Sequence, residues 1–302
     1  MSDLAAEAIT LAWRTRFYRR RWHRSPTGSR PLTLGSVPVT TPAAWEQAVR
    51  RNPGDVVTEV PALWTRTRHA DRDLWFPIGH RDLPRAVAHA EAALRRVGVN
   101  DGTRMLAVLP PAPSVWNSLP YLLLESNLAV EVLPLSLDTV TYKPSLAAFP
   151  LARQPDVFLA SRGLGAELAR LAGPLPTWRR TILYLDGRPP LFDERLLVLP
   201  GCCAPIARCD AGGWHVPRDA GVAEIHQDGF DAGAPPVRPV AGAAEHERGV
   251  LVFTAFSSVA PVVRFATGLT IRAAGPHPCP CGDPAPRFFL DGSPDGSPRS
   301  PA

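Results

Sequence analysis

The chain has 302 residues with 33 Lys+Arg against 28 Asp+Glu, and a net charge of +5 over this length is too mild to imply a nucleic-acid partner by itself. Lys143 is the single lysine, so a phosphate loop ending in Gly-Lys-Ser/Thr is excluded and any lysine-dependent mechanism has one candidate. Hydrophobic residues make up 45%, as in a globular protein, but the 35 prolines predict many turns and short elements, because proline lacks the N–H that helices and ladders use.

In chain order, Leu4, Ala8, Leu11, Ala12, Phe17, Tyr18 and Trp22 recur at helical spacing over 4–24. The run Arg19-Arg20-Arg21-Trp22-His23-Arg24 reads as a solvated helix face with inward aromatics, the alternative being a nucleic-acid stripe with stacking rings. A Pro/Gly/Ser-rich turn covers Ser25 to Pro31. Thr41 is placed to cap a short helix over 43–51, with proline just inside it. Leu83, Val87, Ala90, Leu94 and Val97 mark an amphipathic helix over 81–97 that Gly98 ends.

Strands are predicted at 104–109, 129–133, 157–160 and 181–185, alternating with helices at 115–126 and 164–171. That alternation argues a parallel α/β sheet. From about Pro200, short β-prone runs at 222–225, 249–256, 262–265 and 269–272 lie between Gly/Pro turns, so this part reads as β-rich. The expected organisation is a helical lead-in over 1–60, an α/β subdomain over 61–199, a β-rich subdomain over 200–290 and a disordered tail over 291–302.

No stretch reaches the ~18 uninterrupted apolar residues of a membrane span; 119–137 is broken by Glu125, Asn127 and Glu131. Asp3 and Glu7 precede the first apolar run, the wrong order for a secretory signal, and five cysteines do not suggest a disulfide framework. The chain is expected to be soluble and cytoplasmic.

Five pieces, in order, resemble the phenylacetate-CoA ligase branch of the adenylate-forming superfamily. They are Phe17-Tyr18-Arg19-Arg20-Arg21-Trp22 with Val37-Pro38-Val39-Thr40-Thr41; His80-Arg81-Asp82-Leu83 with its helix and the turn 97–104; the segment 181–191; Gly213-Trp214-His215-Val216-Pro217; and Glu247 to Thr254 running into Pro261 to Gly268, then Cys279-Pro280-Cys281-Gly282. The resemblance implies the large N-terminal domain of such an enzyme, with a parallel α/β half and a β-rich half. It implies chemistry in which ATP and a carboxylate give an acyl- or aryl-adenylate and the acyl group passes to coenzyme A, with Mg²⁺ steadying the phosphates.

The chain departs from that family where the chemistry sits. The Ser/Thr/Gly phosphate loop is replaced by 65–72, Thr-Arg-Thr-Arg-His-Ala-Asp-Arg, where Arg66 and Arg68 are the remaining phosphate candidates through their side chains. The Tyr-Gly-x-Thr-Glu motif is reduced to 199–205, Leu-Pro-Gly-Cys-Cys-Ala-Pro. By the same resemblance Arg264, Thr267 and Gly268 are the further nucleotide-contact candidates, in a stretch where the second arginine is Ala266 and the ribose-binding Asp is Leu269. The small C-terminal domain with the catalytic lysine is expected to be missing, since only the short tail follows Leu290.

Cys209, His215, Cys279 and Cys281 form a set of three thiolates and one imidazole suited to structural zinc. Similarly placed Cys and His in the family add to this reading. The competing reading is buried thiols beside a surface histidine, and Cys202 and Cys203 are alternative ligands to Cys209. Gly-x-Ser-x-Gly is absent, and Arg162-Gly163-Leu164-Gly165 reads as a helix start rather than a dinucleotide fingerprint. Asp193-Glu194 read as helix N-terminal charges rather than a catalytic pair. Trp64, Trp75 and Trp116 are core residues or the lining of an aromatic-acid pocket.

Three functions follow. The first is a degenerate, pseudoenzyme-like member acting as a ligand-binding or regulatory module for a small carboxylic acid or nucleotide, with a homodimer or partner protein. The second is an active ligase with arginine phosphate contacts and a partner-supplied lysine, using ATP, Mg²⁺ and CoA. The third is an Arg-rich nucleic-acid binder through 14–24.

Overall fold

The computed structural model describes residues 2–22, 25–26, 32–69, 72–111, 113–172, 175, 177–185, 194–227 and 237–291. The expected tail beyond 291, His23, Arg24, Asp193 and the segments 27–31 and 186–191 lie outside the described residues.

The N-terminal helical pattern is broken in two. Helix α1 (Ser2–Trp13) ends where the Thr15 hydroxyl donates to Ala12 O at 2.8 Å, and Thr15 then caps α2 (Arg16–Arg21) by accepting from Tyr18 N–H at 3.4 Å. A side chain that bonds local backbone on both sides of a turn favours a break over a continued helix. The break turns Phe17, Tyr18 and Trp22 inward, where Tyr18 and Trp22 lie 4.7 Å apart and Phe17 meets the Trp45 ring edge-on at 5.7 Å. In the basic run, Arg20 pairs with Asp55 at 2.7 Å and Arg21 sits over the Phe17 ring.

Helix α3 (Pro42–Arg51) starts as its sequence predicts, with the Thr41 hydroxyl accepting from Ala44 N–H at 3.2 Å. A hairpin follows, β1 (Leu63–His69) and β2 (Arg72–Ile78), paired in continuous register from Leu63↔Ile78 to His69↔Arg72. Helix α4 (Leu83–Arg96) buries Ala86, Ala90, Ala93 and Leu94 on one face, and Gly98 takes φ +83° just past its end.

The α/β part contains β3 (Arg104–Leu109), α5 (Leu119–Leu124), β4 (Glu131–Ser136), α6 (Leu137–Tyr142), α7 (Ala148–Ala152), β5 (Val157–Ala160), α8 (Arg162–Ala172), β6 (Arg180–Tyr184), β7 (Glu194–Leu197) and β8 (Ile206–Ala207). The sheet order is β4-β3-β5-β6-β7-β8, parallel except for the β7/β8 pair. Met105, Ala107, Val157 and Leu159 face a cluster with α4 and α5, while Leu106, Val108, Phe158 and Ala160 face one with α6 and α8. Burial on both faces explains why these strands read as unbroken apolar runs. Strand β4 runs past the expected end at 133 through Pro134, which an edge strand tolerates. Glu194 opens a strand, not a helix, which corrects the reading of Asp193-Glu194 as helix charges.

The β-rich part is β9 (Trp214–His215), β10 (Gly221–His226), β11 (Arg238–Pro239), β12 (Arg248–Ala255), β13 (Val262–Ala273) and β14 (Arg287–Leu290). They form an antiparallel sheet in the order β11-β10-β12-β13-β14-β9. The two runs expected at 262–265 and 269–272 are one strand, accommodated by two register shifts against β12. The lead-in is built into this half: Ile9, Ala12, Tyr18 and Trp45 share a hydrophobic cluster with Val263, Phe265 and Phe288. Among the described residues, no helix is long and apolar enough to cross a membrane.

Candidate functional site

Two short turns bring cysteines together. Cys209 accepts from Gly212 N–H at 2.9 Å through its carbonyl, and Cys279 accepts from Gly282 N–H in the same way at 2.9 Å. Both glycines adopt φ +80°, a conformation that costs a side-chain-bearing residue energy. Each turn is therefore a Cys-x-x-Gly unit that folds the backbone around its cysteine. The first leads into β9, which supplies His215; the second leads into β14, and β9 and β14 pair at Arg287↔His215.

The ligand atoms of Cys209, His215, Cys279 and Cys281 all lie within 4.8 Å of one another. Cys209 Sγ and Cys279 Sγ are 3.8 Å apart, and Cys281 Sγ is 3.4 Å from His215 Nε2. On a tetrahedron with Zn–S of about 2.3 Å and Zn–N of about 2.0 Å, two sulfurs stand about 3.8 Å apart and a sulfur and nitrogen about 3.5 Å. The donor set thus fits zinc in composition, and two of its separations already have tetrahedral length, with the whole set inside 4.8 Å. His215 Nδ1 lies 3.2 Å from Ala285 O, which can only accept, so Nδ1 carries the proton and Nε2 presents its lone pair to the sulfurs. Burial pushes the His215 pKa below its ordinary value, against the opposing pull of Asp283, and so favours the neutral, ligating imidazole. Cys209, Cys279 and His215 are buried, and Cys281 is exposed.

Asp283 extends this centre. Its carboxylate lies 3.8 Å from His215 Nδ1 and pairs with Arg96 at the end of α4. Its role went unread in the sequence, although it directly follows the Cys-Pro-Cys-Gly run. Cys202 and Cys203, named as alternative ligands, lie elsewhere: they line a small cavity with Asp82, Arg85 and Ser257. Burial pushes the Cys202 thiol up to about 12 and raises that of Cys203 as well, so both stay protonated.

The residues named for nucleotide binding fall on two separate elements, and Arg66, Arg264 and Thr267 are engaged in internal contacts. Arg66 sits on β1, 3.4 Å from Asp73 and 3.2 Å from Pro111 O. Arg68 is exposed on the same strand, opposite Asp73 in the ladder. Arg264 on β13 is buried, with Nε 3.3 Å from Glu224 and a guanidinium nitrogen donating to Val37 O at 2.6 Å. Thr267 donates to Leu251 O at 2.8 Å and accepts from Leu269 N–H at 3.2 Å; Gly268 takes φ +69° within the strand. Arg264, Thr267 and Gly268 share a strand, whereas Arg66 and Arg68 lie on a separate hairpin.

Asp82 was not singled out by sequence reasoning, yet it joins the two halves. It accepts from Gly79 N–H at 3.3 Å, Ser257 Oγ at 3.0 Å, Ser258 N–H at 2.8 Å and Arg85 at 3.1 Å. Of the tryptophans, Trp116 stacks on Tyr184 at 4.2 Å within the α/β core, and Trp64 packs partly buried against the other core. Trp75 lines an open cleft with Arg50 and Arg72. Ser161 caps α8 by accepting from Leu164 N–H at 3.3 Å, which makes the Gly-x-Gly a helix start. Lys143 is exposed between α6 and a turn at 144–147.

No family model matches the sequence, and no curated protein matches it. Among solved structures, 2-hydroxyisobutyryl-CoA ligase in the postadenylation state in complex with R3-HIB-AMP is similar with a TM-score of 0.70 and 19% identity, over 96% of this chain and 65% of that one. An open conformation of that ligase in complex with 2-HIB-AMP and CoA is similar with a TM-score of 0.69 and 17% identity, over 95% and 67%. This chain therefore spans about two thirds of the ligase's length. At these identities the likeness concerns the fold, and the chain has the architecture of the N-terminal domain of an adenylate-forming CoA ligase.

Proposed function

We propose that this chain is a ligand-binding or regulatory module on the adenylate-forming fold, without complete ATP-dependent ligation, and that Cys209, His215, Cys279 and Cys281 hold a structural zinc. The observation that carries the first part is the buried Arg264–Glu224 pair beside Val37 O: of the three arginines named for nucleotide contact, the one on the β-rich sheet is committed to the core. The hairpin supports it. Strands 63–69 and 72–78 pair in continuous register, and the Arg66 N–H, which points away from the partner strand, is given to Pro113 O at 3.2 Å, whereas a phosphate cradle requires N–H groups turned toward the ligand.

The second part rests on three thiols and one imidazole gathered within 4.8 Å, two of their separations matching a tetrahedron. Four protein ligands leave no open position for substrate, so the metal would pin the turns at 209–212 and 279–282 together rather than act on a reactant. The resident ligand fits the class of small carboxylic acids or nucleotides, in keeping with the HIB-AMP and CoA bound by the structurally similar ligase.

That likeness also favours a second reading, an active carboxylate-CoA ligase relying on Arg66, Arg68 and a lysine from a partner chain. Carboxylate-dependent exchange of pyrophosphate into ATP, run with Mg²⁺ over aryl and short aliphatic acids, separates the two. The module reading expects no exchange above background, with a rise in melting temperature for a carboxylic acid, AMP or CoA. Exchange that depends on one acid overturns it and establishes the ligase.

A further inference from the structure

A cavity of about 300 Å³ lies between helix α4 and the turn that follows Cys281, apart from the hairpin and from the Arg264 to Gly268 stretch. Its size falls at the lower end of sites that enclose small organic ligands, about 300–1,000 Å³. Its body is apolar, formed by residues such as Ala92, Ala93, Ile206 and Pro284. Its polar lining is His89, Arg96, His215, Arg218 and Asp283.

The charges are unequal in what they have left to give. Arg96 is neutralised by Asp283, and His89 lies 3.0 Å from Asp219. Arg218 is exposed at the rim and gives one long hydrogen bond, 3.3 Å, to the neutral carbonyl of Pro284. A guanidinium carries five donors in a planar fork, so most of its capacity faces the opening. An apolar chamber with one under-used guanidinium at its mouth selects a molecule with an apolar body and an anionic, planar head. The fork matches a carboxylate bidentately.

The geometry points to a binding site for a small monocarboxylate here, with the tail between α4 and Pro284 and the carboxylate on Arg218. The site is closed on one side by 283–285, the segment that also orients His215, so an occupant would stiffen the wall of the Cys/His centre.

Isothermal titration of the full chain with benzoate and with the aliphatic acids from propionate to octanoate tests this, with benzamide and inorganic phosphate as controls. Saturable binding of at least one acid is expected, with benzamide or phosphate at least about tenfold weaker, as loss of a charge-assisted pair implies. Arg218→Ala should weaken the acid by about tenfold. Ala92→Phe, on the exposed side of α4, should abolish binding by filling the chamber while leaving the melting temperature unchanged. No saturable binding by any acid, equal binding of benzamide, or affinities indifferent to both substitutions overturns the assignment.

Discussion

Glu224 and Arg264 meet at 3.3 Å with side chains only 3% and 6% exposed, on strands separated by β12. Arg264 does so from φ +47°, a left-handed conformation uncommon for a side chain of this size. Removing one partner leaves the other charge buried and uncompensated. Glu224→Leu should therefore cost about 3–5 kcal/mol. Urea denaturation checks this, and the double variant Glu224→Leu/Arg264→Met should recover much of the loss; a double variant as unstable as the single one counts against a pairwise origin.

The metal centre predicts composition as well as stability. Purified protein should contain one zinc per chain, and Cys279→Ser should reduce that to near zero by metal analysis. Chelation should lower the melting temperature by roughly 5–10 °C if the metal contributes about 3 kcal/mol. A chelator without effect on fold or melting, in protein free of zinc, refutes the structural role. Because protons compete for the thiolates and for His215, zinc should also be released on acidification.

The two Cys-x-x-Gly turns allow a backbone test. A side chain at Gly282 meets no atom within 4 Å, so Gly282→Ala carries only the conformational cost of φ +80°. That cost is about 1–2 kcal/mol. Zinc should still bind, with reduced affinity. Gly212→Ala bears the same φ, with the nearest atom on Arg208 at 3.4 Å, and should behave alike. A much larger loss at Gly282 would mean that the turn has tighter requirements than its φ.

Tyr18 yields an alkaline signature. Its hydroxyl accepts from Val263 N–H at 2.8 Å, and burial raises its pKa from 10.0 to about 12. Between those values the unfolded chain has lost the phenolic proton and the folded chain keeps it. Stability contributed below pH 10 is thus lost as pH rises toward 12, up to roughly 2–3 kcal/mol. The difference in unfolding free energy between the wild type and Tyr18→Phe, followed from pH 9 upward, should narrow by that order.

Much of the α/β half is legible because its strands are apolar runs and its longest helix carries a clean stripe. Leu83 to Val97 fix both the existence of α4 and the face it buries. The hairpin β1–β2 was hidden by charges at Arg66, Arg68, Arg72 and Asp73 and by Pro77, although Leu74, Phe76 and Ile78 alternate as a half-buried strand should. Strand β13 looked like two because Gly268 reads as a stop, yet the register shift beside it absorbs the left-handed residue. At the candidate centre, residue type identified the four ligands, but only folding could separate Cys209 from Cys202 and Cys203. The sheet places β9 beside β14; no local pattern encodes that.

The Cys209–Cys279 contact spans 70 residues, a stretch that includes β10, β12 and β13. Closing so long a loop carries its entropic cost up front, so the ligands can converge only after the intervening antiparallel strands have paired. An ion held there would be captured late in folding, as a latch on a finished sheet rather than a nucleus for it. Its rate of uptake would then time the completion of the β-rich half, and its loss would mark the first step of that half coming apart.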